Sequence, residues 1–150
     1  MLALFNQPPL IDAYEYLDTA THIGVRPFSI SKVVKSEITQ TSYAFNAKTT
    51  KVNLQKLLRA YSLNKPILIE GPPGVGKTSL VENLAKVTGR KLIRVNLSEQ
   101  TDMMDLLGSE YPVSAGSAEE EDIRFHWCDG VLLKAIKEGH WFLIDEMNLA

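Results

Sequence analysis

The sequence predicts an α/β fold in which a parallel sheet is flanked by helices, and three observations carry that prediction. The stretch Gly71-Pro72-Pro73-Gly74-Val75-Gly76-Lys77-Thr78 fits G-x-x-x-x-G-K-[ST] in full, the pattern of a phosphate-cradling loop between a strand and a helix. The apolar run Trp141-Phe142-Leu143-Ile144 ends in Asp145 and Glu146, as expected of a strand buried on both faces of a parallel sheet. Strand-like and helix-like periodicities alternate around these two stretches, an order that right-handed crossovers turn into a sheet with helices on its faces.

Composition narrows the class. The 150 residues are 45% hydrophobic and 23% charged, ordinary for a globular chain with one core. A net charge of -2 gives no broad basic field, which disfavours nucleic acid as a direct partner. The single cysteine, Cys128, excludes an internal disulfide framework and a cysteine-based zinc site, and fits a reducing compartment such as cytosol or nucleus. Met1 to Phe5 is apolar, but Asn6, Gln7, Pro8 and Pro9 follow at once. That leaves neither a secretory leader nor a membrane-spanning stretch, so a soluble, unsecreted chain is expected.

In chain order, residues 1–42 form a segment of poor periodicity, broken by Pro8, Pro9, Gly24 and Pro27, and an ATPase-type module is expected over 43–150. Tyr14, Tyr16 and Leu17 suggest a short helix, whereas Pro27-Phe28-Ser29-Ile30 and Tyr43-Ala44-Phe45 look extended. Phe28 and Ile30 are candidates for packing on a nucleobase, although scattered apolar residues more often anchor a core. Thr49 or Thr50 offers an N-cap to a helix in which Leu54, Leu57, Leu58 and Tyr61 form an apolar face, expected to pack on the sheet. Asn64-Lys65-Pro66 ends that helix, and Ile67-Leu68-Ile69 is the strand that enters the phosphate loop.

The loop leads into a helix from about Lys77 to Thr88, closed by Gly89, and Leu92, Ile93 and Val95 make the next strand. Ser98 to Asp102 is rich in capping residues, and Met103, Leu106 and Leu107 suggest a short helix ended by Gly108. Between Ser109 and Asp129 the pattern becomes a hairpin-like insertion. Its solvated acidic tip is Glu119-Glu120-Glu121-Asp122, and its second strand alternates Ile123, Phe125 and Trp127. A partner-contacting arm is the alternative reading. Asp129 is placed to cap a helix carrying Leu132, Ala135 and Ile136, closed by Gly139.

The chemistry concentrates at two places. In the loop, Gly71, Pro72, Pro73, Gly74, Val75 and Gly76 supply turns that aim backbone N–H groups at phosphates, Lys77 supplies a point charge, and the Thr78 hydroxyl suits Mg²⁺. A nucleoside triphosphate is the expected ligand. Four apolar residues followed by two acids are the Walker B pattern, with Asp145 as the second metal residue and Glu146 as the group that polarises the attacking water. Lys77 and Glu146 are thus the catalytic candidates. His22, His126 and His140 lack the i, i+4 spacing of a metal site, Cys128 has no evident activating partner, and Trp127 and Trp141 are expected to pack. Asn148 is a candidate either to orient a polar group near the terminal phosphate or to cap the next element.

Several stretches carry more than nucleotide binding: Lys65 to Gly71, Asn96-Leu97-Ser98-Glu99-Gln100-Thr101-Asp102 through Gly108, Phe125 to Gly130, Gly139-His140-Trp141, and Asp145 to Ala150. Together they resemble the midasin family of dynein-like AAA+ ATPases, over about Tyr43 to Ala150. The resemblance implies a P-loop NTPase fold of the AAA+ class with the hairpin as its helix-2 insertion. It implies ATP and Mg²⁺ as ligands, neighbouring AAA+ modules in one six-module chain, and removal of assembly factors from precursors of the large ribosomal subunit in the nucleus, both nucleolus and nucleoplasm. It further implies a sensor 1 strand between the P-loop strand and the Walker B strand, and an arginine finger, sensor 2 and helical lid after Walker B. None of these falls within the 150 residues, so a fragment or truncated product with an incomplete sheet is expected, inactive in isolation. A MoxR-type or McrB-like AAA+ NTPase, or a fragment that binds nucleotide without turnover, are the other readings.

Overall fold

A computed structural model describes residues 15–33, 41–98, 101–114 and 123–147. The chain divides into two compact units, Met1–Arg90 and Lys91–Ala150.

The first unit opens with three short strands, β1 (Tyr16–Asp18), β2 (His22–Val25) and β3 (Phe28–Ser31), in an antiparallel sheet of order β1-β2-β3. Ile23 and Val25 are two residues apart and so share a face. Ile30 lies directly across from Ile23, and all three are buried. Tyr16 and Leu17 therefore belong to a strand and not to the expected helix; Tyr14 lies outside the described residues. A stretch this short cannot offset the cost of nucleating a helix, whereas pairing with β2 satisfies its backbone directly. Ile30 is a core residue, and Phe28 is half-buried beside it.

Helix α1 (Lys48–Tyr61) follows, with Ala47 as its N-cap and no side-chain capping bond. The helix thus begins ahead of Thr49 and Thr50, which sit inside its first turn. Leu54 and Leu58, one turn apart, are its buried residues, and each contributes about 1.5–3 kcal/mol by leaving water. Helix α1 packs on β2 and β3, so it covers the antiparallel sheet and not the parallel one expected. Helix α2 (Lys77–Thr88) buries Leu80, Val81, Leu84, Ala85 and Val87 and ends at Gly89, as its periodicity indicates. Its last residue, Thr88, is fully buried; its hydroxyl donates to the Leu84 carbonyl at 2.7 Å, and its own carbonyl accepts from the Val33 N–H at 2.8 Å.

The apolar run Ile67-Leu68-Ile69 is not a strand. Among the described residues no strand pairs with it, and Leu68 is 71% exposed. A strand exists through the ladder it shares with a neighbour, so an apolar pattern without that neighbour remains irregular chain.

The second unit holds the parallel pair expected downstream of the loop. Strand β4 (Leu92–Asn96) pairs with β7 (Trp141–Asp145), in register from Leu92 opposite Trp141 to Asn96 opposite Asp145. All five residues of β7 are half-buried instead of buried on both faces, because among the described residues the ladder has two strands and offers little sheet to cover. Between them lies α3 (Met103–Leu107), whose N-cap Asp102 forms a capping box with Asp105. A hairpin follows, β5 (Gly108–Ser114) with β6 (Ile123–Asp129), Tyr111 facing His126; the acidic tip at Glu119 to Asp122 lies outside the described residues.

Helix α4 (Val131–Lys137) is capped by Gly130, not by Asp129. The Asp129 carboxylate is engaged elsewhere, accepting from the Lys137 ammonium and, at 2.9 Å, from Trp127 Nε1. Trp127 is 46% exposed and is held by that polar tip; it does not pack as expected. The hydrogen bond from Lys137, and less strongly the one from Trp127, hold the Asp129 carboxyl below its usual value of 3.8. A carboxylate depressed in the folded state contributes stability that is present above its unfolded value and lost as pH falls through the folded one.

Two outcomes follow from this packing. Leu58→Ala lowers the stability of the first unit by about 2–5 kcal/mol, read as faster amide exchange across α1 and β2. Asp129→Asn removes one acid-sensitive contribution, so the loss of hairpin amide protection on acidification below about pH 4 is smaller in the variant than in the parent.

Candidate functional site

The phosphate loop is built by local geometry. Gly74 and Gly76 have φ of 78° and 83°, in the left-handed region that costs a residue with a Cβ about 1–2 kcal/mol. Nothing crowds either position, so glycine is required there by backbone conformation and not by space. Gly76 is the N-cap of α2, and its carbonyl accepts the first helical bond from Leu80 at 3.0 Å. The first turn of a helix presents N–H groups without intrahelical acceptors, together with the positive end of the helix dipole. An anion therefore fits at the start of α2.

Lys77, the first residue of α2, folds back over the loop. Its ammonium donates to the carbonyls of Gly71 and Pro72, each at 2.8 Å. Two neutral carbonyls hold the charge at the mouth of the loop, and phosphate oxygens are stronger acceptors for it. Thr78 is half-buried in the next position of the helix. Beside the loop a cavity of about 690 Å³ opens, lined among others by Tyr43, Asn53, Leu57, Ile69, Gly71 and Lys77. Its volume is in the range of small-molecule sites.

The acidic pair stands at the end of β7. Asp145 is the last residue of the strand; its Oδ2 accepts from Arg94 Nη2 at 2.7 Å, its Oδ1 from the Glu146 N–H at 3.1 Å, and its carbonyl from the Leu97 N–H at 3.1 Å. Glu146 has φ of 56°, an uncommon conformation for a residue with a long side chain, and it turns the chain out of the strand direction. Glu146 is exposed. The structure thus gathers Gly71 to Thr78 in one loop and helix start within the first unit, and Asp145 with Glu146 at one strand end within the second. Asn148 lies outside the described residues.

Magnesium takes oxygen ligands; Thr78 in the first unit carries a hydroxyl, and Asp145 in the second carries a carboxylate that already serves as the partner of a cation, Arg94. Arg94 is the residue that motif reading passes over. The signal was present as a lone charge inside the apolar run Ile93-Arg94-Val95.

Comparison with known proteins agrees with this geometry. The family model for the AAA domain, dynein-related subfamily, matches residues 66–150. Midasin of Dictyostelium discoideum is 47% identical over 127 residues, which is 85% of this chain and 2% of that protein. Midasin of Giardia intestinalis is 50% identical over 110 residues, 73% of this chain and again 2% of the relative. An uncharacterized protein of Staphylococcus aureus strain USA300 is 40% identical over 105 residues, 70% of this chain and 38% of its own length. The chain spans 2% of the length of the midasins it matches. With residues 66–150 matched and both phosphate-loop and acidic motifs inside that span, the chain belongs to the dynein-related subfamily of AAA domains, as a midasin-like AAA+ module.

Proposed function

We propose that this chain is the nucleotide-binding part of an ATPase module in a midasin-like remodelling motor, with the module beginning near Tyr43 and residues 1–42 preceding it. The observation that carries the reading is the phosphate loop: glycines in left-handed conformation at Gly74 and Gly76, a helix start behind them, and the Lys77 ammonium held on loop carbonyls. By the same resemblance, the motor uses ATP with Mg²⁺ and works with neighbouring AAA+ modules. Its substrates are assembly factors on precursors of the large ribosomal subunit, in the nucleus.

Phosphoryl transfer of this kind depends on positioning and on charge stabilisation. Residues 71–76 wrap the phosphates, with backbone N–H donors supplied by Gly74, Val75 and Gly76, since Pro72 and Pro73 have none, and Lys77 exchanges its carbonyl acceptors for phosphate oxygens. By the resemblance, the Thr78 hydroxyl and the Asp145 carboxylate are the groups that would hold Mg²⁺, and the ion would supply charge neutralisation at the phosphates. Glu146 orients the attacking water and takes its proton. A second reading, that the 150-residue chain by itself binds nucleotide without turnover, is favoured by the run Ile67 to Ile69, which pairs with no strand among the described residues.

Lys77→Ala removes a charged partner of the phosphates, so ATP binding by calorimetry weakens by about 10- to 100-fold, as expected for a hydrogen bond worth about 1.5–3 kcal/mol. Glu146→Gln in the complete protein slows single-turnover ATP cleavage by about 100- to 10,000-fold with ATP affinity retained; an unchanged cleavage rate removes Glu146 from the role of base.

A further inference from the structure

The net charge of -2 conceals an asymmetry between the two units. Residues 1–90 carry eleven Lys and Arg against six Asp and Glu, a net of +5, and residues 91–150 carry five against twelve, a net of -7. A split of this kind between halves of a chain points to an anionic partner for the basic half. The cations of the first unit gather on one element. From Lys48 to Lys65 there are five, Lys48, Lys51, Lys56, Arg59 and Lys65, and no acid at all.

Lys48, Lys51, Gln55 and Arg59 follow one another along α1 at spacings of three and four, so they form one stripe. Lys56 flanks it, three residues before Arg59. Lys48, Lys56 and Arg59 are exposed and Lys51 is half-buried, and among the described residues none of the four cations has an acidic partner. Folding does not account for this arrangement. Lys48 and Lys51 stand at the start of the helix, whose first turn holds no acid, and the positive end of the helix dipole disfavours cations there. Lys48 with Lys51, and Lys56 with Arg59, are like charges at a spacing where they repel. A face kept only for solubility mixes both signs.

The composition of the stripe selects among anions. Protein interfaces rely on aromatic and apolar anchors and are depleted in Lys, and the stripe has no aromatic side chain. The same lack disfavours single-stranded nucleic acid, whose bases stack on aromatics. A lipid surface takes up the apolar face of a helix, and here Leu54 and Leu58 are already buried. A duplex backbone requires cations alone. From Lys48 to Arg59 the helix rises about 16 Å, a length along which one duplex strand passes about five phosphates.

We propose that the solvent face of α1 docks the phosphate backbone of a nucleic acid duplex through Lys48, Lys51, Lys56 and Arg59. The contacts go to phosphates, so RNA and DNA duplexes of one sequence bind alike and sequence is not read. The inference stands apart from the nucleotide reading. Lys56 also lines the cavity beside the phosphate loop, so the test leaves it in place.

The test titrates the 150-residue chain into fluorescein-labelled 20-base-pair RNA and DNA duplexes and follows anisotropy from low to physiological salt. Four phosphate contacts give a slope of log K against log[salt] of about -3 to -4. Lys48→Gln, Lys51→Gln and Arg59→Gln each make the slope shallower by about 1, and Lys48→Arg keeps it. These are single exposed or half-buried changes to a good helix former, and circular dichroism checks that α1 is retained. Absence of binding to either duplex at low salt overturns the proposal. A slope unchanged in all three Gln variants overturns it too, because the duplex then sits elsewhere. Binding confined to one of the two duplexes overturns contact through phosphates alone. Poly-glutamate or phosphatidylserine vesicles that bind more tightly than either duplex, and lose affinity in the same variants, reassign the face to an acidic protein or a membrane.

Discussion

The parallel register of β4 with β7 is the constraint from which the chemistry of the second unit follows. Five residues of each strand pair in sequence, and the ladder ends with Asn96 opposite Asp145. A shift of one residue would turn every side chain of one strand to the other face. Arg94 would then face away from Asp145, and the carboxylate would lose the guanidinium bond at its Oδ2. The apolar run of β7 does more than contribute to a core: it delivers an acid at a defined end of a defined ladder.

The phosphate loop in the first unit needs no such long-range agreement. Its shape is set by the two left-handed glycines and by the helix that starts behind them. Lys77 is supported by carbonyls only five and six residues away. The loop is therefore organised before any ligand arrives, which lowers the ordering cost of binding.

This difference between local and long-range determinants explains what could be read in the sequence. The loop, α2 with its closing Gly89, the capping box at Asp102 and the strand ending in Asp145 are each specified within about a dozen residues by turn, cap and periodicity rules. The three strands β1 to β3 were not legible as a sheet, because three or four residues give too short an alternation and their existence rests on one another. Ile67-Leu68-Ile69 failed in the opposite sense, with a strong strand pattern and no partner strand among the described residues. Asp129 failed as a cap through competition: Lys137 and Trp127 both claim its carboxylate, and neither contact is visible in a capping pattern. Arg94 escaped notice because motifs record acids and glycines around phosphates, while a neighbouring strand's cation is found only once the register is known.

The backbone at Glu146 has a consequence for how freely this position can vary. Its φ of 56° is one that glycine reaches at no cost, that asparagine tolerates, and that a glutamate occupies only with strain. Folding preference and chemistry therefore pull in opposite directions at this residue, and two of the substitutions that relax the chain, to glycine and to asparagine, remove the carboxylate. Engineering that selects for stability alone would drift toward losing the proposed base, so Glu146 is a position to hold fixed when the rest of the module is optimised.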